Sequence, residues 1–216
     1  MATLLTFDCY GTLIDTAPFW QEIEKIGFEH GIDGTLLVNA FGNYEDRLMY
    51  GEGIFTVYRE IIYKALQYCE MELGVERLTS DYERLIKVHQ VLAPYPEVIA
   101  VLHALKAKGY RTAILSNSDW TIMKDNLRSL EHDFDAVYLA EDLHAYKPQI
   151  TFFKKVQTEL GNDKHIHIAA GFWWDIVPAQ KMSWERIWVN RKFKKGLQEY
   201  GPFGEVNTLD EVLNLL

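Results

Sequence analysis

The first residues that could carry chemistry lie in "TFDCYGTLID", residues 6–15, where Asp8 ends an apolar run. Other apolar runs end in, or are soon followed by, further polar residues: Ser116, Asn117, Lys147 and Asp175. A lysine beside a partly buried aspartate favours the ionised carboxylate, which is a nucleophile. The hydroxyl groups of Thr12 and Ser116 are suitable donors for an anion. These residue types together indicate attack by Asp8, which forms an ester that water then cleaves.

That chemistry requires a fold that brings the separate segments together. Short apolar runs predict five strands, at residues 3–8, 111–116, 136–140, 165–170 and 186–190. Helical patterns between them cover residues 96–109, 119–130 and 148–161. We predict Asp119 as the N-cap of the second helix and Pro148 in the first turn of the third. The alternation predicts an α/β fold with a Rossmann-like doubly wound parallel sheet, whose carboxyl edge would gather the polar residues.

Residues 17–93 interrupt this alternation, because they contain no convincing strand. Four helical patterns fill the interval, at residues 18–31, 35–51, 55–74 and 80–92. We therefore predict a core domain of residues 1–16 and 94–216, with an inserted helical cap domain of residues 17–93. The cap would cover the carboxyl edge of the sheet, and its aromatic residues Trp20 and Tyr44 would line a small apolar pocket.

Composition limits the classes of partner and the location. The chain has 216 residues, of which 48% are hydrophobic, and its net charge is −9. An acidic protein is a poor partner for nucleic acid or an anionic membrane, so we expect a small-molecule substrate. The two cysteines predict no disulfide framework, and the N-terminus does not read as a signal peptide, which together indicate the cytoplasm. The apolar stretch "IIYKALQYCEMEL" permits a homodimer.

Four motifs resemble those of the haloacid dehalogenase superfamily. They are "FDCYGTL", "LSN", "YKP" and the aspartate of "GFWWDIVPA", in that order. The resemblance covers the whole chain, including the inserted helical cap, and it implies the core fold of that superfamily. The resemblance implies that Asp8 is the nucleophile and that Thr12 and Ser116 bind the substrate or the intermediate. It also implies that Lys147 holds the nucleophile in place and that Asp175 completes the site.

Tyr10 decides which reaction the resemblance implies. Phosphatases of this superfamily carry a second aspartate two residues after the nucleophile, which protonates the leaving alcohol and later activates water. A phenol, whose pKa is about 10, is a poor proton shuttle at neutral pH. Members with an aromatic or small apolar residue there resemble 2-haloacid dehalogenases, because halide leaves without a proton. The resemblance thus implies a hydrolase that releases halide from short 2-haloalkanoic acids without a metal or another cofactor.

Several positions depart from the pattern of those dehalogenases. They carry an arginine early in the second cap helix, and that place falls near Gly42 or Asn43, with Arg47 as the nearest candidate. Three further positions of the pattern hold apolar residues here: Phe153, Ala170 and Phe172. The predicted substrate-binding residues are Tyr10, Asn117, Trp20, Tyr44, Arg47 and Trp174.

Three alternatives remain open. A magnesium-dependent phosphatase with an unusual proton shuttle would bind its metal through Asp8, Tyr10 and Asp175. A catalytically silent relative would bind a small molecule or a protein. The same ester chemistry also allows displacement at another carbon, such as the opening of a strained ring. We expect His165 and His167, which alternate on one strand, to be partly buried structural residues.

Overall fold

The computed structural model describes residues 3–51, 53–161 and 164–216. Six strands form one parallel sheet in the order β3-β2-β1-β4-β5-β6. The strands are β1 (Leu4–Asp8), β2 (Arg111–Ser116), β3 (Ala136–Leu139), β4 (His165–Ala169), β5 (Glu185–Val189) and β6 (Gly204–Val206). The strand order changes direction at β1, so the carboxyl end of β1 lies at the switch point where doubly wound sheets bind ligands.

Nine α-helices in the described residues surround or extend this sheet. They are α1 (Ala17–Glu29), α2 (Gly34–Tyr50), α3 (Tyr58–Leu73), α4 (Tyr82–Gln90), α5 (Val98–Ala107), α6 (Trp120–Ser129), α7 (Ala140–Leu143), α8 (Ile150–Leu160) and α9 (Val177–Lys181). A π-helical turn, Phe172–Ile176, precedes α9, and short 3-10 turns cover Leu78–Asp81, Gln198–Tyr200 and Leu209–Asn214. No helix in the described ranges is long and apolar enough to cross a bilayer.

The α/β prediction is confirmed, and the strand predictions differ from the structure mainly at β6. Strand β6 was not predicted, because three residues that begin with Gly204 carry no apolar run. Asp119 is the N-cap of α6, where its Oδ1 accepts the Thr121 backbone N–H at 2.9 Å. The prediction for Pro148 is wrong, because α8 has Gln149 as its N-cap and begins after it.

Helices α1 to α4 pack against one another between β1 and α5 in the chain. Each buries one stripe of apolar residues, as amphipathic helices do; the stripe of α2 includes Leu37, Phe41 and Met49. The division of the chain into a cap of residues 17–93 and a core stays a prediction, and so does the expectation about the N-terminus, since Met1 and Ala2 lie outside the described residues.

Asp119 connects the helical block to the sheet. Its Oδ1 caps α6, and its Oδ2 accepts the backbone N–H of Arg59, at the start of α3, at 2.7 Å. The Arg59 guanidinium group lies 3.6 Å from the same carboxylate and 3.4 Å from Glu141. Asp119 is completely buried, so removal of its carboxylate would deprive the partly buried Arg59 and Thr121 N–H groups of their acceptor.

We expect Asp119→Ala to lower the free energy of unfolding by about 2–3 kcal/mol, because it removes a helix cap and leaves buried donors unpaired. The matched control is Asp33→Ala, which removes the exposed N-cap of α2, where Asp33 accepts two backbone N–H groups. That control should cost about 1 kcal/mol. Urea denaturation of the two variants measures the difference; equal losses would show that Asp119 acts only as a cap.

Candidate active site

The carboxyl ends of three neighbouring strands place the predicted catalytic groups side by side. Asp8 is the last residue of β1 and pairs with Leu115 of β2, so Ser116 follows one step beyond it. On the other side, Phe7 pairs with Ile168 of β4, and the loop after β4 leads to Asp175. The parallel register therefore brings residues that are far apart in sequence to one edge.

A tight turn after β1 brings the Thr12 hydroxyl back to the Asp8 carboxylate. The backbone N–H groups of Thr12 and Leu13 both point to the Cys9 carbonyl, at 3.3 and 2.8 Å. Gly11 has a φ of +82°, which only glycine adopts without strain. As a result the Thr12 hydroxyl donates to Asp8 Oδ2 at 2.6 Å, while it accepts the Ala170 N–H at 2.8 Å.

Lys147 joins the two carboxylates of the site. Its Nζ lies 2.8 Å from Asp8 Oδ1 and 2.7 Å from Asp175 Oδ1. All three side chains are buried or nearly so: the exposed fractions are 2% for Lys147, 12% for Asp8 and 1% for Asp175. A buried ammonium is stable only when it is paired, so the two carboxylates and the lysine form one electrostatic unit.

The pKa shifts of these groups follow from burial and from that pairing. Burial opposes the charged form of Lys147, but Asp175 and Asp8 raise its pKa above the usual value. Burial also raises the pKa of Asp8, against the effects of Lys147 and Thr12. Burial acts on Asp175 in the same direction, yet the Lys147 charge and a hydrogen bond from His167 bring the pKa of Asp175 below its usual value. Asp175 is thus the carboxylate that stays ionised more readily.

Ser116 and Asn117 have different environments. The Ser116 hydroxyl is buried and has no hydrogen-bond partner in the described part of the chain, so it can donate to a bound group. The Asn117 amide is occupied, because its Nδ2 donates to the Lys147 carbonyl at 2.9 Å and its Oδ1 accepts the Lys147 N–H at 2.7 Å. Asn117 therefore holds the lysine backbone, and it also lines the cavity beside Asp8.

The Tyr10 hydroxyl is engaged in a hydrogen bond and is not available for proton transfer. The phenol donates to Asn126 Oδ1 at 2.7 Å, and Asn126 in turn donates to the carbonyls of His89 and Gln90 at 3.1 Å each. Burial raises the pKa of Tyr10 well above its usual value. The phenol can neither accept a proton from water nor ionise near neutral pH in this position.

A cavity of about 390 Å³ lies over Asp8. This volume is within the usual range for small-molecule sites and admits a three-carbon acid. The side chains that line it from the predicted cap include Phe19, Trp20, Glu45, Asp46, Met49, Tyr58 and His89. Trp174, from the π-helical turn, closes one side and packs against Tyr50 with ring centroids 4.8 Å apart.

Two of the predicted substrate-binding residues do not belong to this cavity. Arg47 lies outside it, with its guanidinium group 5.2 Å from the Tyr44 ring. Tyr44 stacks on Tyr68 with centroids 4.9 Å apart and also lies outside. The assignment of these two residues to the substrate is corrected here: α2 turns them away because they do not share a helix face with Gly42, which lines the cavity.

His167 contacts the predicted catalytic residue Asp175, although its strand position indicated only a structural residue. Its Nε2 lies 3.0 Å from Asp175 Oδ1, and its Nδ1 lies 3.0 Å from the Thr6 hydroxyl. Gly171 is also needed, because a Cβ there would lie 2.5 Å from Asp175 Oδ2. The two-residue period of β4 could have placed His167 on the Asp175 face, but the path of the loop that includes Gly171 has no sequence signal.

Glu45 is a further functional candidate that sequence reasoning missed. It is 7% exposed and accepts the Tyr58 hydroxyl at 2.6 Å. A signal was present, since Glu45 follows Leu37 and Phe41 at four-residue intervals on the buried stripe of α2. A glutamate in such a stripe is rarely buried without a function or a partner.

The donor set does not fit the magnesium site of the phosphatase alternative. Its three predicted ligands were Asp8, Tyr10 and Asp175, but the Tyr10 hydroxyl is directed at Asn126 and an ammonium lies between the carboxylates. Within residues 3–51, 53–161 and 164–216, no group of three or more His, Cys, Asp or Glu side chains is placed to hold a metal ion.

Comparison with known proteins identifies the family. Residues 2–180 match the haloacid dehalogenase-like hydrolases. The chain belongs to this family. The predicted catalytic residues Asp8, Lys147 and Asp175 lie within the matched residues and meet at the carboxyl edge of the sheet.

Relatives of known activity resemble the chain over nearly their full lengths. It is 25% identical to (S)-2-haloacid dehalogenase 4A of Burkholderia cepacia, over 97% of this chain and 93% of that one. It is 26% identical to haloacetate dehalogenase H-2 of Moraxella sp. (strain B), over 98% and 96%. The fold matches a crystal structure of a dehalogenase with an intermediate complex, with a TM-score of 0.85, 23% identity and coverage of 100% and 97%.

We expect Gly171→Ala to lower the turnover of this hydrolase by about 10²-fold, because the added methyl group displaces the Asp175 carboxylate from Lys147. The matched control is Gly53→Ala, where a Cβ would meet no atom within 4 Å. Steady-state kinetics on both variants test this. Full activity of the Gly171 variant would show that the position of Asp175 is not critical.

We expect His167→Leu to move the acid limb of the pH–rate profile to higher pH. The leucine removes a donor that stabilises ionised Asp175, and the limb belongs to the coupled pair of Asp8 and Asp175. His167→Gln, which keeps a donor at the same distance from the backbone, should restore the limb in part. An unshifted limb in the leucine variant would contradict the role of His167.

Proposed function

We propose that this chain hydrolyses the carbon–halogen bond of short 2-haloalkanoic acids, with Asp8 as the nucleophile and without a metal. The family supplies the reaction class, and the relatives named above act on haloacids and haloacetate. The geometry around Asp8 supplies the groups that this reaction needs. The roles of individual residues below belong to the same proposal.

The first step is an in-line displacement at C2 of the substrate. An Asp8 carboxylate oxygen forms a bond to C2, while the carbon–halogen bond breaks and its electron pair leaves with the halide. Lys147 and Thr12 donate to the two Asp8 oxygens at 2.8 and 2.6 Å and fix the carboxylate in place. The free Ser116 hydroxyl is a donor for the substrate carboxylate or for the departing halide.

The second step hydrolyses the aspartyl ester. Water attacks the Asp8 carbonyl carbon, the bond from that carbon to the substrate oxygen breaks, and the 2-hydroxy acid departs. One proton of the water ends on the product hydroxyl and the other is released, so that Asp8 returns as a carboxylate. We assign the general base to Asp175, which lines the cavity and is ionised because the Lys147 charge and the hydrogen bond from His167 hold its pKa below the usual value.

The observation that carries this proposal is the hydrogen bond from Tyr10 to Asn126. Transfer of a phosphoryl group from a phosphate ester to Asp8 would require an acid at this position to protonate the departing alcohol, and the phenol there already donates to a buried amide. Halide is a stable anion and needs no proton. The carbon–halogen reaction is therefore the one that the residues of this site can complete.

Location and assembly are also predictions. Cys9 and Cys69 are buried free thiols, which supports a reducing compartment such as the cytoplasm.

Tyr63, Tyr68 and Met71 expose apolar area on α3, which supports a homodimer through that helix. Sedimentation analysis tests the dimer, and the paired change Tyr68→Lys with Met71→Lys should give a monomer.

We expect the purified protein to release chloride from 2-chloropropionate in the presence of a chelator. In single turnover in ¹⁸O-labelled water, one labelled oxygen should enter the peptide that contains Asp8, because water attacks the carbonyl carbon of the enzyme. Mass spectrometry of the digested protein measures this. The control is Asp8→Asn, which keeps the shape of the side chain and should lose activity by about 10⁴-fold or more.

Magnesium-dependent turnover of a phosphate ester, without halide release from any 2-haloacid, would overturn the proposal in favour of a phosphatase. Absence of both activities and of labelled oxygen in Asp8 would favour a binding protein. Halide release without label in Asp8 would instead point to direct attack by water.

A further inference from the structure

No described residue that lines the cavity offers an unshared cation to an anionic substrate. Lys147 is the one lysine or arginine among the described residues that line it, and its ammonium is already shared by two carboxylates. His89 also lines the cavity, but burial lowers its pKa to about 4, so it is neutral under ordinary conditions. Gly42 lies in the region of α2 where the resemblance placed an arginine, and it offers no side chain.

Glu45 occupies the same face of α2, one turn after Gly42. Its carboxyl group is buried, lines the cavity and receives one hydrogen bond, from the Tyr58 hydroxyl at 2.6 Å to Oε1. Within the described residues Oε2 has no hydrogen-bond partner. One carboxyl oxygen of the buried Glu45 thus accepts a hydrogen bond from Tyr58, and the other is available to a bound molecule.

The groups that face Glu45 leave it without a compensating charge. Tyr58 comes from α3 and His89 from α4, and both are neutral. Asp46, on the same helix, adds a negative charge, and Lys147 lies between Asp8 and Asp175 on the far side of the cavity. The phenols of Tyr50 and Tyr146 are also close enough to interact electrostatically with Glu45, and burial raises the pKa of both, so they are neutral.

On the basis of the proposed function, we infer that Glu45 acts as a carboxylic acid that donates its proton in a hydrogen bond to the carboxylate of a 2-haloacid. This assigns to an acid the binding role that a cation fills in the dehalogenases that the cap resembles. A hydrogen bond from a neutral acid to a carboxylate is strong in a cavity that excludes water. Tyr58 holds the other oxygen, so the proton on Oε2 faces the cavity.

This role predicts that binding of an anionic substrate weakens as the pH rises. Burial and Asp46 raise the pKa of Glu45 to about 7, against the hydrogen bond from Tyr58. Below that value Glu45 carries the proton and binds the anion; above it the carboxylate repels the anion. KM for 2-chloropropionate should therefore be flat on the acid side and rise by about tenfold per pH unit on the alkaline side. 2-Chloropropionate itself remains ionised throughout this range.

The test measures KM and kcat for 2-chloropropionate between pH 5 and pH 9 in the full chain and in two variants. Glu45→Gln keeps a donor of similar shape that does not titrate, so KM should become independent of pH while kcat changes little. Tyr58→Phe removes the hydrogen bond that lowers the pKa of Glu45, so the rise in KM should begin at higher pH. If Glu45 only supported the fold, its replacement by glutamine would not abolish the rise in KM, and Tyr58→Phe would not move that rise to higher pH.

Two controls separate the outcomes. Glu60→Gln makes the same chemical change at an exposed position on α3 and should leave the wild-type profile unchanged. 2-Chloropropionamide has the same shape without the charge, so its KM should not rise with pH. The inference is overturned if wild-type KM for 2-chloropropionate does not rise above pH 7, if Glu45→Gln keeps the rise, or if the amide shows the same rise.

The two proposals fail in different ways. Halide release with a pH-independent KM would reject the role of Glu45 and leave the dehalogenase proposal intact. If neither the acid nor the amide releases halide at any pH, the proposed function itself fails. A preference for the amide throughout the range would show that the cavity selects uncharged 2-halo compounds, which also rejects the hydrogen bond to a carboxylate.

Discussion

The buried ammonium of Lys147 is the interaction on which the site depends. One positive charge lies between two carboxylates in a place where water cannot solvate it, so loss of the lysine would leave two buried carboxylates without a counter-charge. The surroundings fix this arrangement from several directions: Asn117 holds the lysine backbone, Thr12 holds Asp8, and His167 holds Asp175. The parallel sheet contributes the register that makes these contacts possible, because it brings three strand ends to one edge.

The sequence was informative where chemistry coincides with a regular pattern. Asp8 and Ser116 each end an apolar strand, so the rule for open parallel sheets placed them together before any coordinates were known. The orientation of α2 could not be obtained in this way. Arg47 and Glu45 lie on one helix within two residues; the four-residue spacing from Leu37 and Phe41 places Glu45 on the buried stripe, but that this stripe meets the cavity follows from the packing of α2 against α1 and α3. Strand β6 was missed for a related reason, since its pairing with β5 rather than its own composition makes it a strand.

The parallel sheet and helices α1 to α4 supply different kinds of side chain to the cavity over Asp8. The strand ends supply charged and hydroxyl groups, whereas the helices supply mainly aromatic walls and the acid Glu45. The two sets are held in register by polar contacts that cross between them, such as the bond from the Arg59 N–H to Asp119 and the bond from the Tyr146 hydroxyl to the Thr56 carbonyl. A cavity built from both sides keeps a fixed shape only while such contacts hold. The specificity of the site thus depends on residues that never touch a substrate.

The bond between Tyr10 and Asn126 has a consequence for how this chain can evolve. Asn126 is buried and also donates to the carbonyls of His89 and Gln90 at the end of α4. The Tyr10 phenol therefore belongs to a hydrogen-bonded chain that connects the loop after β1 to helix α4 through Asn126. An aspartate at position 10 would restore a proton carrier, yet it would be too short to reach Asn126 and would leave that amide oxygen without its donor. Tyr10→Asp would therefore cost stability unless a second substitution supplied a new donor to the Asn126 oxygen, so a change of this position towards phosphate chemistry is coupled to position 126.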